Sequence, residues 1–262
     1  MDDRLRDVTA FLEQDTWRNL VPLKTLALFP EAVRCVFRTE PGGPAALLLL
    51  PVSVSGFDRA HYPEADLVVF LAVSHLEQIP GLLAEIPRGR TLLFKLMGER
   101  HPAAVEAVFA LRRVAAYRSF APPDGLTLAS DPAVTASSQL ADELLAIYAA
   151  QGHAPEEVRR HFACGARSFT VYEGGRPVST CFVYPNYGRV WEIGALFTDP
   201  ARRRCGLAQA VVSAAYDALG REGLTARYQA HESNRASILL AESLGLRCFL
   251  VNSHWLHAGR QH

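Results

Sequence analysis

The stretch TDPARRRCGLAQAVV, residues 198–212, carries the most chemically suggestive spacing in this sequence. Arg202, Arg203 and Arg204 run through Cys205 and Gly206 into a small-residue segment that predicts a helix from about Gly206. A helix start leaves backbone N–H groups without partners and carries the positive end of the helix dipole. A phosphate set there is therefore both hydrogen-bonded and charge-stabilised. In the spacing Arg203-x-x-Gly206-x-Ala208, two small residues leave that approach clear, and Arg203 and Arg204 add charge-assisted bonds. Taken alone, the pattern also fits a basic patch for nucleic acid or a solvated helix end. Cys205 lies inside the positive loop, where a thiolate is favoured, yet no base is near it in sequence, so it reads as a small filler. His231, closing the segment RYQAH, has a near-neutral imidazole suited to proton relay, and equally suited to a structural hydrogen bond.

Totals for the chain narrow these alternatives. Its 262 residues suffice for one large domain or two ordinary ones, and 49% apolar content supports a real core. Basic and acidic side chains balance at 27 each, so no global field exists to hold DNA or an anionic membrane surface. Five cysteines, Cys35, Cys164, Cys181, Cys205 and Cys248, are scattered without a CxxC pair. That argues against a disulfide framework and against a zinc ribbon, and no metal site is expected. The opening MDDRLRDVTAFLEQD is acidic and amphipathic, unlike a secretory signal, and the longest apolar run, PAALLLLPVSV, is about half of a membrane span. The expectation is a soluble, cytoplasmic protein, monomer or homodimer, with no nucleic-acid or membrane partner.

The elements that must position the loop follow from periodicity. Leu5, Val8 and Leu12 have helical spacing, and a second helix is predicted over 17–29, before Pro30. VRCVFRTE and AALLLLPVSV, separated by PGGP, predict a strand pair. ADLVVFLAV follows as a buried strand, SHLEQIPGLLAEI as a proline-interrupted helix, RTLLFKLM as a strand, HPAAVEAVFALRR as a helix and VAAYRSF as a strand. APPDG, residues 121–125, is the expected boundary between a domain over 1–121 and another over 126–262. The order then restarts. Helices lie within DPAVTASSQLADELLAIYAAQ and EEVRRHFACG, and SFTVYEGGRPVSTCFVYP forms a hairpin turning at Glu173-Gly174-Gly175. GRVWEIGALFT is a strand, CGLAQAVVSAAYDALGREG a helix, LTARYQAH a strand, NRASILLAESLGL a helix and RCFLVNSHWLH the last strand or strand pair. The shared layout suggests a diverged internal duplication.

The helix NRASILLAESLGL, in the form N-x-x-S-x-x-L-x-x-x-L-G-L, combines with the arginine–glycine loop and the element order. Over residues 126–256 the sequence resembles the GNAT superfamily of acyl-CoA-dependent N-acyltransferases. The first half resembles the degenerate GNAT-like N-terminal half of two-domain members. Where its loop belongs, after DLVVFLAV, stands SHLEQIPG, so no cofactor is expected there. The implied fold is α/β (α+β), a mixed and mostly antiparallel central sheet flanked by helices, preceded by a GNAT-like half lacking the CoA loop.

The resemblance also implies roles. The pyrophosphate of acetyl-CoA falls on Arg203, Arg204, Cys205, Gly206, Leu207, Ala208 and Gln209. Backbone groups of Leu196, Phe197 and Thr198 pair with the pantetheine arm, the Leu196 N–H holding the thioester oxygen. Asn234 touches the arm or caps its helix, roles that can coexist. Glu192 stands where some members place a catalytic glutamate, and His231 is the other candidate base. Gln229 occupies a position where certain relatives have a glutamate base, and the usual general-acid tyrosine is Ala241 here. The implied activity is acetyl transfer to an amine, on a small molecule first. The alternatives are a protein or peptide amine, or a non-catalytic acyl-CoA sensor.

Overall fold

The computed structural model describes residues 3–40 and 42–259. In chain order its elements are α1 Asp3–Glu13, α2 Leu20–Leu28, β1 Arg34–Glu40, β2 Gly43–Pro51, α3 Gly56–His61, β3 Leu67–Val73, α4 Ile79–Leu83, β4 Leu92–Met97, α5 His101–Glu106 and β5 Arg112–Ala121. They continue with β6 Val134–Ser137, α6 Asp142–Ala150, α7 Pro155–Ala163, β7 Arg167–Glu173, β8 Arg176–Tyr187, β9 Val190–Thr198, α8 Leu207–Arg221, β10 Thr225–His231, α9 Arg235–Ser243 and β11 Arg247–His257. They fall into two compact units. One comprises residues up to Tyr117 together with those from Leu250 onward, and the other is Arg118–Phe249. The expected division ran the second region to residue 262, whereas the last strand crosses back. Its Asn252–His257 segment pairs antiparallel with Met97–Leu92 of β4.

In the first unit the strand order is β1-β2-β3-β4-β11, with only the β3–β4 pair parallel among these neighbours. Six successive residues of β2, from Ala45 to Leu50, are buried. Such a run, rather than an alternating pattern, is what a strand covered on both faces requires. The short α3 was not anticipated, because its signal is tertiary. Ser55 Oγ caps it by accepting from the Asp58 N–H at 3.2 Å, and buried Asp58 meets Lys95 Nζ at 2.7 Å. The helix predicted over HPAAVEAVFALRR stops at Glu106. Phe109 packs instead against Phe94 and His257, at ring separations of 5.4 and 4.8 Å, and the chain is extended again from Arg112.

In the second unit the order is β10-β9-β8-β7-β6, with β10 and β9 parallel and the rest antiparallel. The β7–β8 hairpin closes through Gly174 and Gly175, at φ 55° and 76°. Two adjacent positive-φ residues are what a tight turn needs to match strand twist. Neighbouring residues of β8 point to opposite faces. On one face, Cys181 and Val183 pack with Ile193, Val211, Val212, Ala215, Leu219 and Ala241, which seats α8 and α9. On the other, Phe182 packs with Leu144, Tyr148 and Val158 of α6 and α7. Full burial of each such aliphatic side chain contributes roughly 1.5–3 kcal/mol relative to exposure. Among the described residues no helix is long and apolar enough to cross a membrane.

Candidate active site

The site begins where two parallel strands part. Residues Val190–Ile193 of β9 pair with Thr225–Tyr228 of β10, and the pairing stops there. Farther along, β9 is paired only with β8, through a bulge. Phe182 faces Gly194 and Thr180 faces Phe197, so the single residue Cys181 stands opposite Ala195 and Leu196. Ala195 takes φ 50°, a left-handed conformation costly for a residue with a Cβ. Beyond the bulge, Ser179 Oγ donates to the Phe197 carbonyl at 3.0 Å. The Leu196 carbonyl instead accepts from Gln151 Nε2 at 3.0 Å.

From Thr198 the chain enters the arginine loop. The Asp199 carboxylate accepts from the Ala201 N–H at 2.9 Å and starts one 3-10 turn, Pro200–Arg202. Arg204 at φ 64° and Gly206 at φ 79° then reverse the backbone into α8. Gly206 is the N-cap and has no side chain to offer, so the first amides of this fifteen-residue helix have no side-chain cap. A Cβ added at Gly206 would meet no atom within 4 Å, so the space above the helix start is open. This is the geometry of a backbone cradle for an anion, with the helix dipole behind it. Arg203 and Arg204 are exposed beside it, while Arg202 is ion-paired with Glu173.

Strand edge, loop and helix start line one cleft of about 600 Å³. Leu196, Phe197 and Thr198 contribute from β9, and Arg203, Arg204, Gly206, Leu207, Ala208 and Gln209 from the loop and α8. Asn234 joins them from the start of α9, where its Oδ1 accepts from the Ser237 N–H at 3.1 Å. It thus caps its helix and lines the cleft together. Cys205, exposed with Sγ 3.6 Å from the Arg203 carbonyl, is not among the lining residues. Sequence reasoning missed Gln151, Arg202, Ala236, Ser237 and Leu240. Ser237 and Leu240 were accessible from α9 periodicity, since they follow Asn234 at steps of three residues, whereas Ala236 is off that face. Gln151 reaches Leu196 from 45 positions away and left no local signal.

Neither candidate base lines the cleft. Glu192 is buried, and its Oε2 accepts from Arg227 Nε at 2.9 Å and from Asn186 Nδ2 at 2.6 Å, with Arg227 Nη2 at 2.8 Å. Arg227 is its partner in the parallel register, which is why two buried charges meet here. Arg227 Nη1 and Asn186 Oδ1 are buried with no hydrogen-bond partner among the described residues. His231 is half-buried, and its Nδ1 accepts from the Ser233 N–H at 3.2 Å, with Ser233 Oγ at 2.7 Å. A nitrogen that accepts from an amide holds the lone pair, so the neutral ring carries its proton on Nε2. Gln229 donates to Ser119 Oγ at 3.2 Å, and Ala241 is fully buried. Burial pushes the Tyr228 phenol up to about 12, against a hydrogen bond with Ser237 that opposes the shift. Burial, reinforced by the Glu192 carboxylate, raises Tyr184 as well. Among the described residues no cluster of three or more His, Cys, Asp or Glu side chains is placed to hold a metal ion.

Residues 138–246 match the model of the Acetyltransferase (GNAT) family. A GCN5-related N-acetyltransferase from Kribbella flavida is 18% identical with a TM-score of 0.57, the match covering 90% of this chain and 94% of that one. One from Sphaerobacter thermophilus is 14% identical with a TM-score of 0.58, over 93% and 87% of the chains. A tandem GNAT protein from the clavulanic acid biosynthesis pathway is 16% identical with a TM-score of 0.53, over 93% and 89%. No curated protein sequence matches the chain. The mostly antiparallel sheet flanked by helices is the GNAT fold, and residues 138–246 match the acetyltransferase (GNAT) family, whose general chemistry is acetyl transfer from an acyl-CoA.

Proposed function

We propose that the protein binds acetyl-CoA in the cleft of the second unit and transfers its acetyl group to the amine of a small molecule. The observation that carries this reading is the uncapped start of α8, with Arg204 and Gly206 in left-handed conformations and open space above Gly206. It fits a pyrophosphate. Amides from Arg204 to Gln209 hold the phosphate oxygens, and Arg203 and Arg204 add charge, with Cys205 serving as loop backbone. The backbone edge of Leu196 and Thr198 holds the extended arm, Phe197 stays laddered to β8, and Asn234 flanks the arm. Acetyl-CoA supplies the thioester and a thiolate leaving group that is tolerable near neutral pH. The Leu196 N–H, in the bulge, stabilises the oxygen of the reacting carbonyl.

For proton transfer we assign His231 to accept from the acceptor amine by way of solvent, after exchange of its Ser233 bond. Glu192, ion-paired to Arg227, acts as a base only if that pair opens, and otherwise fixes the β9–β10 junction. A compact acceptor is favoured by what packs beside the bulge. Tyr184 and His161, both half-buried, stack at a ring separation of 4.0 Å on this side of the bulge, with Phe182 buried behind them. A peptide amine is the competing acceptor. A second reading, an acyl-CoA sensor without turnover, is favoured by the commitment of Glu192, Gln229 and His231 to other bonds.

Incubation with acetyl-CoA and pooled small amines, aminoglycosides and peptides, reading free thiol, separates these. Release with small amines alone supports the proposal, and release with peptides alone moves the acceptor class. CoA binding by thermal shift with no turnover on any pool favours the sensor. Full CoA affinity in an Arg203→Ala, Gly206→Glu double variant would show that the cofactor site lies elsewhere.

A further inference from the structure

The carbonyl of Leu196 is not free in this cleft. Gln151, the residue that closes α6, donates its Nε2 to that carbonyl at 3.0 Å and lines the cleft itself. Leu196 stands in the β9 bulge, opposite no partner of its own on β8. In extended backbone the N–H and C=O of one residue leave the strand along the same edge. The Gln151 amide therefore stands beside the Leu196 N–H, at the end of the cleft where the acyl group is assigned. Ala195, just before it, packs with Phe182 and Tyr184 on the α6–α7 side, which leaves little slack in the backbone behind the bulge.

We infer that Gln151 is the wall at the acyl end of the cleft and sets how long an acyl chain the protein accepts. The inference rests on the acetyl-CoA reading above and adds a specificity-determining residue to it. An acetyl group ends short of the amide. Two further methylenes run into it and must displace both the side chain and its bond to Leu196. A pocket built to one length discriminates against added methylenes by roughly tenfold or more.

The test is direct binding of CoA, acetyl-CoA and butyryl-CoA by calorimetry to wild type, Gln151→Ala and Gln151→Glu, which needs no acceptor. Wild type is expected to prefer acetyl-CoA over butyryl-CoA by roughly tenfold. Gln151→Ala removes the wall and should abolish that preference while leaving CoA affinity within about threefold, since the phosphate cradle is untouched. Gln151→Glu loses the donor and sets a carboxylate against the Leu196 carbonyl, so the side chain turns away and the preference should weaken. Equal discrimination in wild type and Gln151→Ala overturns the inference, as does a wild type that binds both acyl-CoAs alike. If wild type binds none of the three, the acetyl-CoA reading itself fails. Binding of CoA with unchanged selectivity sinks only the role of Gln151.

Discussion

Each unit contains a strand leading through a short connection into a helix, and the two connections are built differently. After β3, Gln78 Oε1 accepts the His75 N–H at 3.0 Å, its Nε2 donates to the Gly43 carbonyl at 2.8 Å, and Ser74 Oγ donates to the Pro44 carbonyl at 2.9 Å. The helix that follows, α4, has five residues and a proline in its first turn, which removes a donor. After β9, a capless glycine precedes a fifteen-residue helix. The strain is distributed in the same way. Among the described residues, the two non-glycine residues with positive φ are Ala195 and Arg204, both beside the cleft. Neither helix start carries a side-chain cap; what sets the second apart is a long helix and a backbone turn held at positive φ, the features on which the proposed anion cradle rests.

Each unit also has a buried ion pair, Lys95–Asp58 in the first and Arg227–Glu192 in the second, and replacing one partner is the strongest perturbation available. Lys95→Met and Arg227→Met each leave a buried carboxylate uncompensated and should cost roughly 3–5 kcal/mol in urea denaturation. Lys95→Met should leave CoA affinity unchanged. Arg227→Met, at the point where the cleft opens, should weaken it, and equal effects on binding would erase the proposed contrast between the units.

The largest acid sensitivity should come from His101 in the first unit, with His153 of the second also lowered by burial. Burial, helped by the Arg18 charge, holds the His101 imidazole down from 6.5 to about 4. As pH falls between those values the unfolded chain takes up a proton that the folded chain refuses, so stability is present above this window and lost through it. The loss approaches about 3 kcal/mol, and His101→Phe should flatten it in denaturation curves at pH 7 and 4.5.

Single replacement of Gly206 by Glu places a carboxylate over the helix start and a side chain at φ 79°. CoA affinity should fall by roughly a hundredfold, measured by calorimetry, with a small change in melting temperature. A carboxylate introduced after β3, as Gln78→Glu, should leave CoA affinity unaltered. The smallest effect is Ala195→Gly. It relieves a left-handed Cβ, against a more flexible unfolded chain, for a net gain of about 0.5 kcal/mol. A loss of stability there would mean that Ala195 packing with Phe182 and Tyr184 outweighs the strain.

What could be read from the sequence was whatever is local. The arginine–glycine loop, the Gly174-Gly175 turn and the periodicity of α8 each depend on residues close in the chain, and all three elements are present. Asn234 was readable in its capping role for the same reason. Pairings between distant segments left no local trace. Gln151 with Leu196, Arg227 with Glu192, and Lys95 with Asp58 are fixed by register and helix placement. The bulge at Ala195 was hidden too, because alanine gives no sign of a left-handed conformation, whereas a glycine there would have.

The path of β11 has a consequence for the order in which the molecule can form. Ser253 Oγ reaches the Leu96 carbonyl across 157 positions, so β4 waits for a strand translated long after it. Until then β4 lacks its β11 partner and exposes the unpaired groups that invite association with other chains. Strands β6 to β10 of the second unit are complete earlier, by the end of α9. Closure of the first unit therefore depends on the pairing of β4 with β11, and slow, late-closing contacts of this kind set folding rate more than final stability.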